Sequence, residues 1–161
     1  MAHPSLEDPN FSQAVIFLLE HTKEGALGFN LTRPTQQNLE DFELPPEIAW
    51  GHLLAFDAGP VDQDTLRFLT LFPDAQGIIQ IEEFSDTSSY ANSITHAFFG
   101  YAGWNPLQLD NEIAQNVWLL HPASFHLLVD VPREHLWQTI ISNLAPSQQL
   151  EAKSPKNISL N

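Results

Sequence analysis

Apolar residues fall into short blocks separated by glycine, proline and acidic residues, a spacing that predicts several strands interrupted by three helices. Ala14 to Glu20 reads as a buried strand, because AVIFLL is a continuous run rich in β-formers between polar neighbours. His21 to Gly25 supplies a tight turn, and Ala26 to Thr32 returns as a second strand, so an antiparallel hairpin results. Arg33-Pro34 ends it, since proline has no ladder N–H. A short helix is expected over Asn38 to Phe42, capped by Asn38 or Thr35 and closed by Pro45-Pro46. Strands follow at His52 to Asp57, which stops at Ala58-Gly59-Pro60, and at Leu66 to Phe72. The latter turns at Pro73 to Gly77 into Ile78 to Ile81 as a second hairpin. The polar stretch Glu82 to Ser93 reads as loop.

The stretch with the strongest signals is Phe98 to Leu120. A strand over Ala97 to Tyr101 runs into a Gly100-x-x-Gly103-Trp104 corner and then into a helix with its start written out: Asn105 as N-cap, Pro106 at the first helical position, and Gln108 reaching back as in a capping box. On a helical wheel Leu109, Ile113, Val117 and Leu120 form one stripe with Asn116 inside it. A buried amide there needs a partner, and the backbone of the Gly100 to Trp104 corner is the expected one. A last helix is expected over Pro132 to Leu144, with Leu136, Ile140 and Leu144 at helical spacing. From Ala145 on the chain is polar and reads as a flexible tail. The expected whole is one α/β domain over residues 1 to 144, a mostly antiparallel, curved sheet with helices packed on it, followed by a tail over 145 to 161.

Composition removes several kinds of chemistry. The chain has no cysteine, hence no disulfide, thiolate nucleophile or thiolate metal site. Its net charge of −14 disfavours direct nucleic-acid binding, which needs a basic face. A basic protein partner or a metal ion suits that charge better, against the commoner explanation of a solvated acidic surface. No apolar run could span a bilayer and the N-terminus has no secretory pattern, so a cytoplasmic protein is expected. The seven histidines show no metal-ligand spacing, and no Gly-x-Ser-x-Gly or Ser-x-x-Lys motif occurs, so no metal, cofactor or catalytic residue is assigned. Asp57 with Glu112 is the one carboxylate pair considered for hydrolysis. Arg33, where a strand ends, could grip a carboxylate or phosphate, against the plainer reading of an intramolecular ion pair.

Four ordered blocks carry a family resemblance: PSLEDPNFSQAVIFLLEH (Pro4 to His21), GALGFNLTRPT (Gly25 to Thr35), AGPV (Ala58 to Val61) and FFGYAGWNPLQLDNEIAQNVWL (Phe98 to Leu119). With these the chain resembles the bacterial AlgH/YqgE family. The resemblance implies a cytoplasmic, mixed α/β protein with a strongly bent, barrel-like sheet and flanking helices. It also implies a family whose activity is uncharacterised and whose founding name marks a proposed role in transcriptional regulation of alginate synthesis. Where the family usually has Gly-Gly-Pro-Val this chain has Ala58-Gly59-Pro60-Val61, and where it usually has Asn-Arg-Pro this chain has Thr32-Arg33-Pro34. The region from Val61 to Phe98 is shorter than the family norm. The first functional reading is a non-enzymatic regulatory or protein-binding module acting through a surface of Arg33, Asp57, Gly59, Pro60, Tyr101, Gly103, Trp104 and Asn116. The alternative is a small-molecule binder or carboxylate-based hydrolase with a cleft at the Gly59 and Gly103 corners.

Overall fold

The computed structural model describes residues 1–43, 53–84 and 92–144. Among these, six strands form one sheet: β1 (Ile16–Thr22), β2 (Gly25–Asn30), β3 (Leu54–Asp57), β4 (Val61–Pro73), β5 (Ile79–Glu83) and β6 (Ile94–Trp104). Three helices accompany them: α1 (Gln108–Ala114), α2 (Phe125–Asp130) and α3 (Arg133–Asn143). The order across the sheet is β1-β2-β6-β4-β5, all antiparallel, and β3 adds to β6 as a single parallel pair. The architecture is a single α+β domain with a curved, mostly antiparallel, barrel-like sheet flanked by helices, as the sequence pattern and the resemblance lead one to expect.

The hairpin of β1 and β2 closes through Lys23 and Glu24, with Thr22 opposite Gly25. β1 is an edge strand, half-buried at its start and exposed from Leu18 onward, and so differs from the buried strand the apolar run suggests. Leu18 and Leu19 stand 39% and 46% exposed. The short helix at Asn38 is one 3-10 turn over Leu39–Asp41, and the Asn38 side chain accepts from the Glu40 N–H as a cap. The expected closure at Pro45-Pro46, the start of the third strand at His52, the core of the Glu82 to Ser93 loop and the tail lie wholly or partly outside the described residues. At the second hairpin Asp74 caps the turn, accepting from the backbone N–H groups of Gln76 and Ile78 at 2.9 and 2.8 Å. These bonds, that from Ile78 foremost, hold its carboxyl below the usual carboxylate range.

β6 is the strand around which the sheet is built. Its Leu54-facing half, His96 to Phe99, has β3 on one side and β4 on the other, and its last residues, Ala102 to Trp104, pair with β2. The Gly100 to Trp104 segment is therefore not a corner, as the sequence suggests, but the continuation of this strand through a kink. The kink is at Gly100, which has φ +68° and backbone oxygens of Gly59 and Val61 where a Cβ would stand. A Cβ on Gly59 would lie 2.2 Å from the Tyr101 carbonyl. The preceding Ala58 has its methyl in the core at 0% exposure, so the close approach falls on the second position and the first tolerates a side chain.

The sheet carries two apolar clusters. One joins Phe29, Phe56, Leu71 and Phe98 to Leu128, Leu136 and Ile140 of α2 and α3. The other gathers Ala2, Leu6, Ala26, Ala102, Trp104, Leu109 and Trp118, with Phe11 and Ile113 alongside. Burying each large side chain contributes about 1.5–3 kcal/mol.

α1 departs from expectation at both ends. Gln108 does reach back, accepting from the Asn105 N–H at 3.0 Å. Asn105 and Pro106 nevertheless belong to a turn, and the residue before the helix is Leu107, left-handed at φ 62° with no side-chain cap. The helix ends at Ala114, and Asn116 takes φ 56° beyond it, donating its N–H to Ile113. Val117 to Leu119 are then not helical. They run extended against the start of the chain: His3 N–H donates to Val117, Leu119 N–H to Met1, and Ala2 bridges Trp118.

The Gly59 contact yields a sharp contrast. Gly59→Ala is expected to cost about 3 kcal/mol or more, because its methyl meets backbone that cannot swing away. Ala58→Gly is expected to cost about 1 kcal/mol. Urea unfolding of the two variants measures both.

Candidate functional site

The carboxylate of Glu112 organises the end of the sheet. Its residue is 9% exposed, on the inner face of α1. Oε2 accepts from the Trp104 indole at 2.8 Å and from the Trp118 indole at 2.7 Å, and Oε1 accepts from the Gln108 amide at 2.9 Å. The two indoles stand edge to face with centroids 5.8 Å apart, and Phe11 meets Trp118 in the same way at 5.6 Å. Three donors on one carboxylate offset its desolvation and tie strand β6, helix α1 and the returning segment to one point. Trp104 is thus 8% exposed and a core residue, and Asn116 serves through its backbone at the helix end, not through an amide bonded to the Gly100 to Trp104 segment.

The predicted surface separates into groups. Arg33 and Asp57 are neighbours: the Asp57 N–H donates to the Arg33 carbonyl at 2.9 Å, and the Arg33 Nε lies 4.0 Å from the Asp57 carboxylate. This loose ion pair is the plainer of the two readings of Arg33, and with side chains 47% and 31% exposed it contributes little. Arg33 also donates from Nη1 to the Pro9 carbonyl at 3.0 Å. Tyr101, Gly103 and Trp104 instead line a groove of about 510 Å³ with Glu20, Glu24 and Val61. Gly59 lies against the Tyr101 and Ala102 backbone of β6, Pro60 is exposed, and none of Gly59, Pro60 and Asn116 lines this groove or the cleft at Arg33. Arg33, Gly59 and Trp104 therefore do not share one concavity. Asp57 and Glu112, the pair considered for hydrolysis, have separate partners on separate elements.

The cleft that Arg33 lines holds about 350 Å³ among Asn10, Gln13, Thr32, Arg133 and Trp137. Arg133 is not among the candidates that the sequence pattern singles out. It is 8% exposed at the start of α3, its Nη2 donates to the Leu128 carbonyl of α2 and to His96 Nε2, the latter at 3.0 Å, and its guanidinium lies 5.9 Å from the centre of the Phe56 ring. Arginine can only donate, so His96 Nε2 must be the acceptor and the ring is neutral. Burial, and then the Arg133 charge beside it, push the His96 pKa down to about 3 from 6.5. No signal in the sequence marks this pair, since His96 and Arg133 are isolated in their local windows. Among the described residues no three histidine, aspartate or glutamate side chains come together as a metal site, and no helix is long and apolar enough to cross a membrane.

An AlgH-like family model matches residues 1–149, and the chain belongs to that family. It is 32% identical to a UPF0301 protein of Pseudomonas paraeruginosa over 83% of this chain and 80% of that one. It is 29% identical to one of Streptomyces avermitilis over 100% and 92%. The solution structure of the AlgH protein from Pseudomonas aeruginosa superposes with a TM-score of 0.62 at 28% identity, covering 96% of this chain and 91% of that chain. A crystal structure of a protein from Corynebacterium diphtheriae, at 20% identity and TM-score 0.67, shares the fold over 96% and 89%.

Two stability measurements check this geometry. Glu112→Leu leaves two indole N–H groups and an amide without their acceptor and is expected to cost about 2–5 kcal/mol, lowering Tm by roughly 5–15 °C. Glu112→Gln, which keeps one oxygen, is expected to cost less. For His96 the folded pKa lies below the unfolded one, so the unfolded chain binds the extra proton. The contribution is present above pH 6.5 and is lost as pH falls toward 3. His96→Gln, which keeps an acceptor for Arg133, is expected to flatten the acid limb of the stability curve between those values.

Proposed function

We propose that the protein is a non-enzymatic regulatory or protein-binding module, acting in the cytoplasm, that engages a partner through the Arg33 cleft. The observation that supports this is the placement of charge. The chain has three arginines against a net charge of −14, and two of them, Arg33 and Arg133, line one cleft. A guanidinium at a strand end, loosely paired and half in solvent, suits recognition of an acidic group on a partner. The strongly negative remainder of the surface disfavours nucleic acid as that partner. The groove at Tyr101 and Gly103 keeps the small-molecule alternative in view, but its flanking charges, Glu20 and Glu24, are both acidic and suit an anionic ligand poorly.

Site-specific photocrosslinking in cells tests the reading. A benzoylphenylalanine at exposed Gln13, inside the cleft, is expected to give a discrete adduct that the same group at Gln76, on the far hairpin, does not. Arg33→Ala is expected to cut its yield roughly fivefold while leaving Tm within a few degrees. Absence of an adduct, or one indifferent to Arg33→Ala, contradicts the proposal.

A further inference from the structure

Arg133 poses an electrostatic problem that the described residues do not solve. Its guanidinium is buried, Nη2 is used twice, and Nη1 has no hydrogen-bond partner. Among the described residues no carboxylate forms an ion pair with it. A neutral imidazole, a carbonyl and a ring face stabilise it, but none carries countercharge. A buried cation without an anion costs several kcal/mol, and an idle donor adds to that cost. Arg33 shares the same cleft, its Nε 4.0 Å from Asp57 and so beyond hydrogen-bond reach. The two arginines line this cleft from positions 100 residues apart in sequence, one just beyond the end of β2 and one from the first turn of an 11-residue helix whose N-terminus adds positive potential.

We propose that this cleft is a carboxylate site, in which Arg33 and Arg133 together hold one monoanionic carboxylate. The proposal rests on the binding-module reading and gives its chemistry. Monoanion is favoured over phosphate by the acids at the rim: Glu134 lines the cleft and Asp57 stands beside Arg33, so the two cations have little charge left for a dianion. Planar carboxylate also matches the fork of a guanidinium. Pro9, Pro34 and Trp137 line the same cleft and offer apolar walls for whatever carries the carboxylate. The indole N–H of Trp137 is already spent on the Ala2 carbonyl at 2.9 Å, which fixes that ring. The occupant is then a carboxylate on an apolar body. It can be a free organic acid or the C-terminus of a peptide ending in an apolar residue.

Arginine side-chain NMR of the full chain, with phenylacetate, inorganic phosphate, and an acetylated Leu-Phe dipeptide as free acid and as amide, tests the site and its source. Phenylacetate is expected to shift the Nε–H signals of Arg33 and Arg133 saturably, with a Kd of about 1 mM, and phosphate to bind at least about tenfold more weakly. Arg33→Gln and Arg133→Met are each expected to weaken phenylacetate about tenfold. Arg33→Gln replaces an exposed side chain and keeps the test open should Arg133→Met fail to fold. Tighter binding of the dipeptide acid than of phenylacetate, with the amide silent, assigns the carboxylate to a chain terminus. The reverse order assigns it to a free acid. No saturable shift with either acid, equal response to phosphate, or phenylacetate binding unchanged in Arg33→Gln overturns the proposal. If the Gln13 crosslink persists while these acids do not bind, the module reading stands and only its chemistry fails.

Discussion

The structure depends on one buried carboxylate with more than one donor to satisfy. α1 has seven residues, far below the length at which a helix holds itself in water. What keeps it helical is tertiary: Leu109 and the inner face of Glu112 are buried, and the carboxylate is bonded to two indoles from either side of the helix in sequence. Because Trp104 ends β6 and Trp118 lies in the segment that pairs with residues 1 to 3, the same two oxygens fix the last strand, the helix and the start of the chain together.

A second constraint works on the opposite cluster. Arg133 spans from α3 to a carbonyl of α2, to His96 on β6 and to the face of Phe56 on β3, so one side chain registers both helices against the sheet. The two anchors differ in kind. Glu112 is fully supplied with donors and reads as scaffold. Among the described residues Arg133 keeps an idle donor and finds no anion, and a buried polar group left in that condition calls for an explanation. Arg33 brings a second, accessible cation to the same cleft, which is why we propose a site there.

Local signals account for what the sequence made legible. The β1–β2 hairpin follows from a polar turn between two apolar runs, the turn at Asp74 from its Pro, Asp and Gly, and α3 from Leu136 and Ile140 at helical spacing. The failures come from contacts between distant segments and from local signals too weak or too ambiguous to decide. Val117, Trp118 and Leu119 continue an apolar stripe and look helical, but the pairing that captures them comes from residues 1 to 3, which no local window contains. α2 has six residues and no side-chain cap, too little periodicity to register. Gly100 and Gly103 look like a corner because a strand kink and a turn use glycine alike. Arg33 was visible as a candidate through its strand-end position. Its partner Arg133 was not, because proximity across 100 residues leaves no mark in composition or spacing.

The central claim is that both indoles are held by Glu112 in the folded core and released only when the domain opens. Hydrogen exchange of the two indole Nε1 protons, followed by NMR at neutral pH, tests it most directly. The account predicts that the Trp104 and Trp118 indole protons exchange as slowly as the backbone amides of β6, in step with global unfolding. Rapid exchange of either indole while the β6 amides stay protected would contradict it.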